Sequence, residues 1–386
     1  MHRNPLGKQG QTFIARGRRL AALLTLGAAA TAAQAQGGAV QADAAAATQA
    51  PVPARSTLCA GGSALSQGQW TANLRVDNDL FGGSQQDQGY TNGVLLTVVS
   101  PNLVDYLSDP CLPAMARGLN RYLSGLSHDG FEQQNMVFSF GQGLFTPQDI
   151  SRSDLIRDDR PYAGALLLSV GYNARSGDVL RTSHLRLGIV GPSALGRQTQ
   201  NAVHKLIGDQ RANGWGNQLR DEFVVQFVHE RMQRWAPEHD RSGWSWDAIG
   251  HWGGAVGNLQ SYLNAGVELR YGWRLPDDFG STPLRPAGEN TAPTRGLGSV
   301  AGSGWAGHAF VTTDLRLVFN DITLNGNTFK NSHSVDMRHA VADLGYGLAL
   351  THGPWKFAFA RYHRTREFQG QKQLPVFGSF TISRRF

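Results

Sequence analysis

The sequence predicts an all-β protein, a twelve-stranded antiparallel transmembrane β-barrel with a short helix in one extracellular loop. Three observations predict it. The chain opens like an exported protein. No later stretch is long and apolar enough to span a bilayer as a helix, for which about 20 residues are needed. Twelve segments of about ten residues alternate in polarity with period two, the mark of strands with one face in lipid and one in a lumen.

The export reading rests on residues 1–35. His2, Arg3, Lys8, Arg16, Arg18 and Arg19 precede an apolar run from Leu20 to Ala33, and Ala33-Gln34-Ala35 follows. A basic start, a short apolar run and a small-residue cleavage site describe a secretory signal peptide, with cleavage expected after Ala35. Residues 36–64, rich in Ala, Gln, Pro and Thr, read as a flexible leader. The barrel is expected to occupy residues 65–386. Removing the signal takes five of the 36 Lys and Arg and none of the 29 acids, so the mature net charge falls from +7 to +2. A nucleic-acid partner loses its main support. The two cysteines, Cys59 and Cys111, have no further Cys or His at metal spacing. In an oxidising compartment they are expected to pair with each other.

Composition agrees. Gly is abundant at 47, charged residues make up only 17%, and Trp, Tyr and Phe are frequent. The strand segments run 69–80, 89–100, 135–144, 162–174, 182–191, 221–235, 245–256, 261–273, 308–320, 339–351, 355–365 and 377–386. In the third, Met136, Phe138 and Phe140 alternate with Val137, Ser139 and Gly141. In the ninth, Phe310, Thr312, Asp314, Arg316 and Val318 share one side. An even count suits a chain with both termini on one side of the membrane. A soluble sandwich is the competing architecture for the same alternation.

If the first strand rises from the periplasm, connections 81–88, 145–161 and 192–220 lie outside. The fourth, around Ser176-Gly177-Asp178, is a short turn of the kind expected inside. The second, 101–133, is long for such a turn and contains a helix-like stretch, Pro113 to Leu123, expected to form a periplasmic cap. The eighth, 274–305, is equally long and has no reading.

The external connections hold the candidate chemistry. Asn78 and Asp79 end the first strand and Thr91 begins the second, so a carboxamide, a carboxylate and a hydroxyl meet at one hairpin mouth. Taken alone, Asn-Asp before Gly-Gly is ordinary turn chemistry. The fifth connection carries a helix, Arg197 to Ile207, that Gly208 would stop. Its apolar stripe is expected to be Val203, Leu206 and Ile207, with His204 beside it. A lone His on a helix is more often structural than catalytic. The third connection contributes Arg152 and Asp158-Asp159-Arg160, either a solvated loop or a basic patch for phosphate or an oxyanion. Ester hydrolysis needs a base active near neutral pH and a stabiliser for the developing oxyanion. His204 supplies the first. A hard cation on the oxygens of Asn78, Asp79 and Thr91 would supply the second.

Asp77-Asn78-Asp79, Tyr90-Thr91-Asn92-Gly93, Asp159-Arg160-Pro161-Tyr162-Ala163-Gly164, Gly191-Pro192 and Gln200 to Gly208 resemble the outer-membrane lipid A 3-O-deacylase family. The resemblance covers roughly residue 65 to the end. It implies a calcium-dependent barrel in the bacterial outer membrane that hydrolyses the 3′-linked acyloxyacyl ester of lipid A in lipopolysaccharide. No nucleic-acid partner is expected from the charge, and a monomer is one option for an oligomeric state that the sequence leaves open. The resemblance implies that His204 is the general base, and that Asn78, Asp79 and Thr91 shape the site and help hold Ca2+ or the oxyanion. Arg152 falls near a basic site residue that is Lys in the best-known pattern. Asp209 and Gln210 compete for the place of a carboxylate past the helix, Asp209 being the metal-ligand candidate beside Asn78 and Asp79. The alternatives are a barrel phospholipase with a Ser nucleophile, for which no serine stands out, and a non-enzymatic porin-like barrel.

Overall fold

The computed structural model describes residues 69–79, 81, 89–103, 111, 114, 117–118, 131–208, 211–237, 243–281 and 304–386. The signal peptide, the leader and Asp209 lie outside the described residues, as does most of 113–123. Cys111 is disulfide-bonded; its expected partner, Cys59, lies outside them.

Twelve strands form a closed barrel in which each pairs antiparallel with its neighbours in sequence. They are β1 (Thr71–Asn78), β2 (Gly89–Val99), β3 (Gln133–Thr146), β4 (Ala163–Ser176), β5 (Val179–Val190), β6 (Glu222–Trp235), β7 (Trp244–Gly257), β8 (Gln260–Trp273), β9 (Trp305–Asp321), β10 (Ala340–His352), β11 (Trp355–Arg364) and β12 (Val376–Arg385). Closure comes from β1 against β12, sealed by reciprocal backbone hydrogen bonds between Trp70 and Phe386 at 2.9 and 3.0 Å. A closed sheet leaves no edge unpaired, which a strand in hydrocarbon requires. No boundary expected from the alternation moves by more than three residues.

The faces of the sheet exclude the sandwich. Leu74, Phe140, Leu168, Phe223, Leu263, Leu315 and Leu348 are exposed on the outer surface, while Asn73, Asp77, Gln226, Glu230, Arg234, Asp247 and Arg270 are buried inside. A soluble protein would turn that arrangement round; lipid as the outer solvent explains it. Trp235, Trp244, Trp273, Trp305 and Trp355 sit at strand ends on one rim, and Trp244 stacks on Tyr271 with ring centroids 5.4 Å apart. This is an aromatic girdle at the level of the lipid headgroups. That rim also carries Trp70 and Phe386; it is the inner rim below, and the other is the outer rim.

The eighth connection folds back into the barrel. Leu275, Asp278, Phe279 and Ser281 are buried in the inner half of the lumen. Asp247 of β7 accepts from Arg234 Nε at 2.8 Å and from Arg270 Nε at 2.7 Å. Asp277 pairs with Arg175 at 2.8 Å and also with Arg234. Lys356 reaches Asp278 Oδ2 at 2.9 Å, and Arg270 bonds the same carboxylate. Ser281 donates its backbone N–H to Glu268 at 2.8 Å. Inward-facing cations from four strands are thereby met by the carboxylates of one returning segment.

Candidate active site

The hairpin β1–β2 divides its polar residues between the two sides of the wall. Asp77 points into the lumen, where Tyr90 Oη donates to it at 2.7 Å and Arg75 Nε lies 3.0 Å away. Asn78, one residue on, projects from the opposite face. Its side-chain amide donates to Asn92 Oδ1 on the paired strand. Against β3, strand β2 carries a bulge between Tyr90 and Asn92, so that Thr91 is the extra residue. Bulges re-aim side chains and recur beside active sites. Thr91 is fully buried, and its hydroxyl donates to the Leu144 carbonyl at 3.3 Å. Asp79 is buried too, its backbone N–H reaching the Thr91 carbonyl at 3.3 Å. Asn78, Asp79 and Thr91 are therefore brought together.

The fifth connection lays a helix, α1 (Gly196–Ile207), on the outer wall against β3 and β4. Two glycines permit this close approach. A Cβ on Gly164 would sit 3.2 Å from Gly196 N and Cα, too close for the two backbones to stay in place. Gln142 fixes the helix start by donating to the Ala194 carbonyl at 2.5 Å. Ser193 is held by Asp221 through its backbone N–H at 2.7 Å and its hydroxyl at 2.8 Å. Gly208 stops the helix with φ 79° and returns its N–H to the His204 carbonyl, as the sequence led us to expect.

The buried face of α1 differs from expectation. Among the described side chains, Gly196, Gln200 and His204, four residues apart and so stacked along one face, are the buried positions, and His204 is 2% exposed. Val203 is half-buried, and the side chains of Leu206 and Ile207 lie outside what is described. His204 is thus in the buried stripe rather than beside it. A helix normally docks by its apolar face. Among the described side chains of this helix the buried ones include a carboxamide and an imidazole, and the 211–217 segment meets the carboxamide with a polar group. Trp215 donates its indole N–H to Gln200 Oε1 at 2.7 Å, and packs with Tyr162, Leu144, Ile150 and Ala212. A continuous path results. The Thr91 hydroxyl bonds Leu144, Leu144 packs on Trp215, Trp215 bonds Gln200, and His204 follows one turn later.

Arg152 stands apart from that path. It is exposed and paired with Asp154 in its own loop, with Nε 3.1 Å from Oδ1. That hydrogen-bonded pair raises the Arg152 pKa and lowers that of Asp154. The Arg152 side chain lines an open cavity of about 420 Å³ on the outer rim with Asp149, Asp158 and Lys372. Its backbone is nearer the helix support, since its carbonyl lies 3.0 Å from where a Cβ on Gly214 would be. Arg160, expected in the same patch, is buried instead and bridges Glu367 at 3.0 Å and Thr323 at 2.8 Å.

Sequence reasoning missed Gln200, Trp215 and Asn92. Gln200 had a legible signal, its position four residues before His204. Trp215 had none, since its role depends on how the connection turns back.

Among the described residues no three His, Cys, Asp or Glu side chains gather where they could hold a metal. The oxygen donors present are the buried carboxylate of Asp79, the carboxamide of Asn78 and the hydroxyl of Thr91. All are hard ligands of the kind calcium prefers, and the set fits that ion better than zinc or iron.

The chain matches the model of the family described as outer membrane protein LpxR over residues 24–386. Among solved structures, LpxR from Salmonella typhimurium aligns with a TM-score of 0.63 at 18% identity, covering 81% of this chain and 99% of that one. The β domain of the Bordetella autotransporter BrkA aligns with a TM-score of 0.37 at 10% identity, covering 83% of this chain and 98% of that one. The translocator domain of the autotransporter NalP from Neisseria meningitidis aligns at 0.36 and 10%, covering 82% and 87%. No curated protein matches at a significant level.

Proposed function

The chain belongs to the LpxR family of outer membrane proteins, and from that premise we propose that it is a carboxylic ester hydrolase of the outer membrane. Its proposed reaction is removal of the acyloxyacyl chain ester-linked at the 3′ position of lipid A. One observation carries this reading: α1 buries His204 and Gln200 on the lipid side of the wall, and the contact of Trp215 with Leu144 links them to the hairpin mouth of Asn78, Asp79 and Thr91. Burying such groups against a membrane protein's outer wall is unfavourable unless they are used or fully satisfied.

In the proposed mechanism the neutral imidazole of His204 takes a proton from water as the water oxygen attacks the ester carbonyl. The resulting imidazolium returns the proton to the departing sugar oxygen, giving an acyloxyacyl carboxylic acid and a lipid with a free 3′-hydroxyl. Gln200, held by Trp215, fixes the rotation of α1 and so the aim of His204. Thr91, held by the Leu144 carbonyl, keeps the hairpin mouth against β3. Asn78 and Asp79, with Asp209 as the further candidate, would hold Ca2+, which when bound supplies positive charge for the carbonyl oxygen. Arg152 is a candidate for steering the anionic head group from the outer rim.

The segment 275–281 in the lumen speaks against a porin-like role, which needs an open channel. Ser183 with His229 and Ser281 with His308 form hydrogen-bonded pairs at 2.8 Å, but both stand toward the inner rim, away from the external connections that carry the candidate chemistry. The test is mass analysis of lipid A from cells with and without the protein. Loss of one acyloxyacyl unit from the 3′ position is the expected result; unchanged lipid A would overturn the reading.

A further inference from the structure

The inner face of β4 and β5 carries a second polar site, across the wall from α1. Ser139, Ser169, Arg186 and Gln226 are successive register partners on β3, β4, β5 and β6, so they form one row around the lumen. Arg186 donates one N–H to Gln226 Oε1 at 3.2 Å. Among the described residues no carboxylate lies within ion-pair distance of it. The neighbouring arginines differ. Arg75 pairs with Asp77 at 3.0 Å, Arg316 with Asp314 at 3.2 Å and Arg364 with Asp343 at 2.6 Å. Two residues before Arg186 and on the same face, His184 is 3% exposed with no hydrogen-bond partner at Nε2. Ser169 Oγ is likewise buried without a partner. All three line an internal cavity of about 260 Å³ in the outer half of the lumen. Arg75, Arg316 and Arg364 also reach it, against two lining carboxylates, Asp321 and Glu367. There is room for an oxyanion and several waters, each of which occupies about 30 Å³ in the liquid.

We propose that this cavity is a binding site for a small oxyanion of the phosphate class. Arg186 supplies the unneutralised charge, and the Ser169 hydroxyl and His184 Nε2–H supply converging donors. A guanidinium inside a barrel is costly without a counter-charge, and its planar fork suits a tetrahedral oxyanion. The site stands independently of the proposed hydrolysis, since none of its three donors belongs to the hairpin mouth or to α1.

The experiment is calorimetric titration of the purified full-length protein in detergent with sodium phosphate, chloride balancing ionic strength. Saturable one-site binding to the wild type is expected. Arg186→Gln should weaken it by about tenfold or more, the scale of a lost charged hydrogen bond. Arg157→Gln, at an exposed loop arginine, should leave it unchanged. Heat-modifiable gel mobility checks folding, and if Arg186→Gln fails to fold, Arg186→Lys and Ser169→Ala decide the matter by the same loss of affinity. A parallel titration with glucose 1-phosphate tells the sources apart: binding of both compounds assigns the site to phosphomonoesters, and binding of phosphate alone assigns it to the free ion. Equal phosphate affinity in wild type and the folded variants, an adventitious ion only, would overturn the proposal. So would the absence of saturable binding to the wild type.

Discussion

Trp215 and Gln200 share a buried hydrogen bond of 2.7 Å between the indole N–H and the carboxamide oxygen. It joins α1 to the segment that follows it. Trp215→Phe keeps the ring packing but leaves the Gln200 oxygen without its donor, at a local cost of about 1–3 kcal/mol. Because α1 lies on the barrel rather than in it, we expect heat-modifiable gel mobility to stay normal. Deacylation of lipid A per folded molecule should fall by about tenfold, one tenfold step corresponding to 1.4 kcal/mol. A variant with full activity would show that this bond does not aim His204.

His204→Ala and His204→Asn should lower deacylation by about 10²- to 10⁴-fold, the usual contribution of a general base. Folding should be untouched, since the barrel closes without α1. In the wild type the rate should rise with pH as the imidazole loses its proton, then level off. Turnover by purified, folded His204→Ala in detergent is the measurement, and near wild-type turnover would reopen the search for a Ser nucleophile.

Asp79→Ala should cripple activity, with partial recovery at high calcium if the carboxylate serves the metal. A second readout separates affinity from chemistry. Calcium should raise the unfolding temperature of the wild type and not that of Asp79→Ala, because a ligand stabilises the state that binds it. Identical calcium shifts in both proteins would remove Asp79 from the ligand set.

Asp247→Ala should be the most damaging change to stability. Asp247 serves Arg234 and Arg270 at once, and all three side chains are wholly buried. Its loss leaves two guanidiniums short of counter-charge, and breaking a buried pair this way costs about 3–5 kcal/mol. Urea unfolding in detergent, followed by tryptophan fluorescence, would read it. A midpoint equal to wild type would show that the lumen network is solvated rather than structural.

The same network sets an acid limit. Burial pushes the Asp278 carboxyl up, but Lys356 and Arg270 outweigh it and hold it well below the usual carboxylate range. A depressed folded pKa contributes stability that is present above the unfolded value and is lost only as pH falls through the folded one. The segment should therefore stay docked at about pH 4, the unfolded carboxylate range. Conductance in planar bilayers should be equally low at neutral pH and at about pH 4. A rise on acidification to that point would contradict the assignment.

The strands were legible because period-two alternation is local, and Phe138 and Phe140 declare their face without any knowledge of partners. Other features depend on distance. Asp277 and Asp278 read as an unremarkable loop, since Arg175, which pairs with Asp277, and Lys356, which pairs with Asp278, lie far away in sequence. The burial of Gln200 and His204 on α1 was missed because a helical stripe was assumed to be apolar. Gln200 and Trp215 become partners only when residues 211–217 turn back. Asn78, Asp79 and Thr91 were found together because one hairpin carries all three.

The position of α1 on the outside of the wall sets the kinetics of the proposed reaction. A lipid can reach the outer wall beside α1 by lateral diffusion in its own leaflet, never entering the lumen, and the product can leave the same way. The relevant concentration is then a mole fraction in a two-dimensional fluid, so added inert lipid should dilute the substrate while added buffer does not. Crowding in that leaflet, rather than the width of any pore, would govern how often the protein meets its proposed substrate.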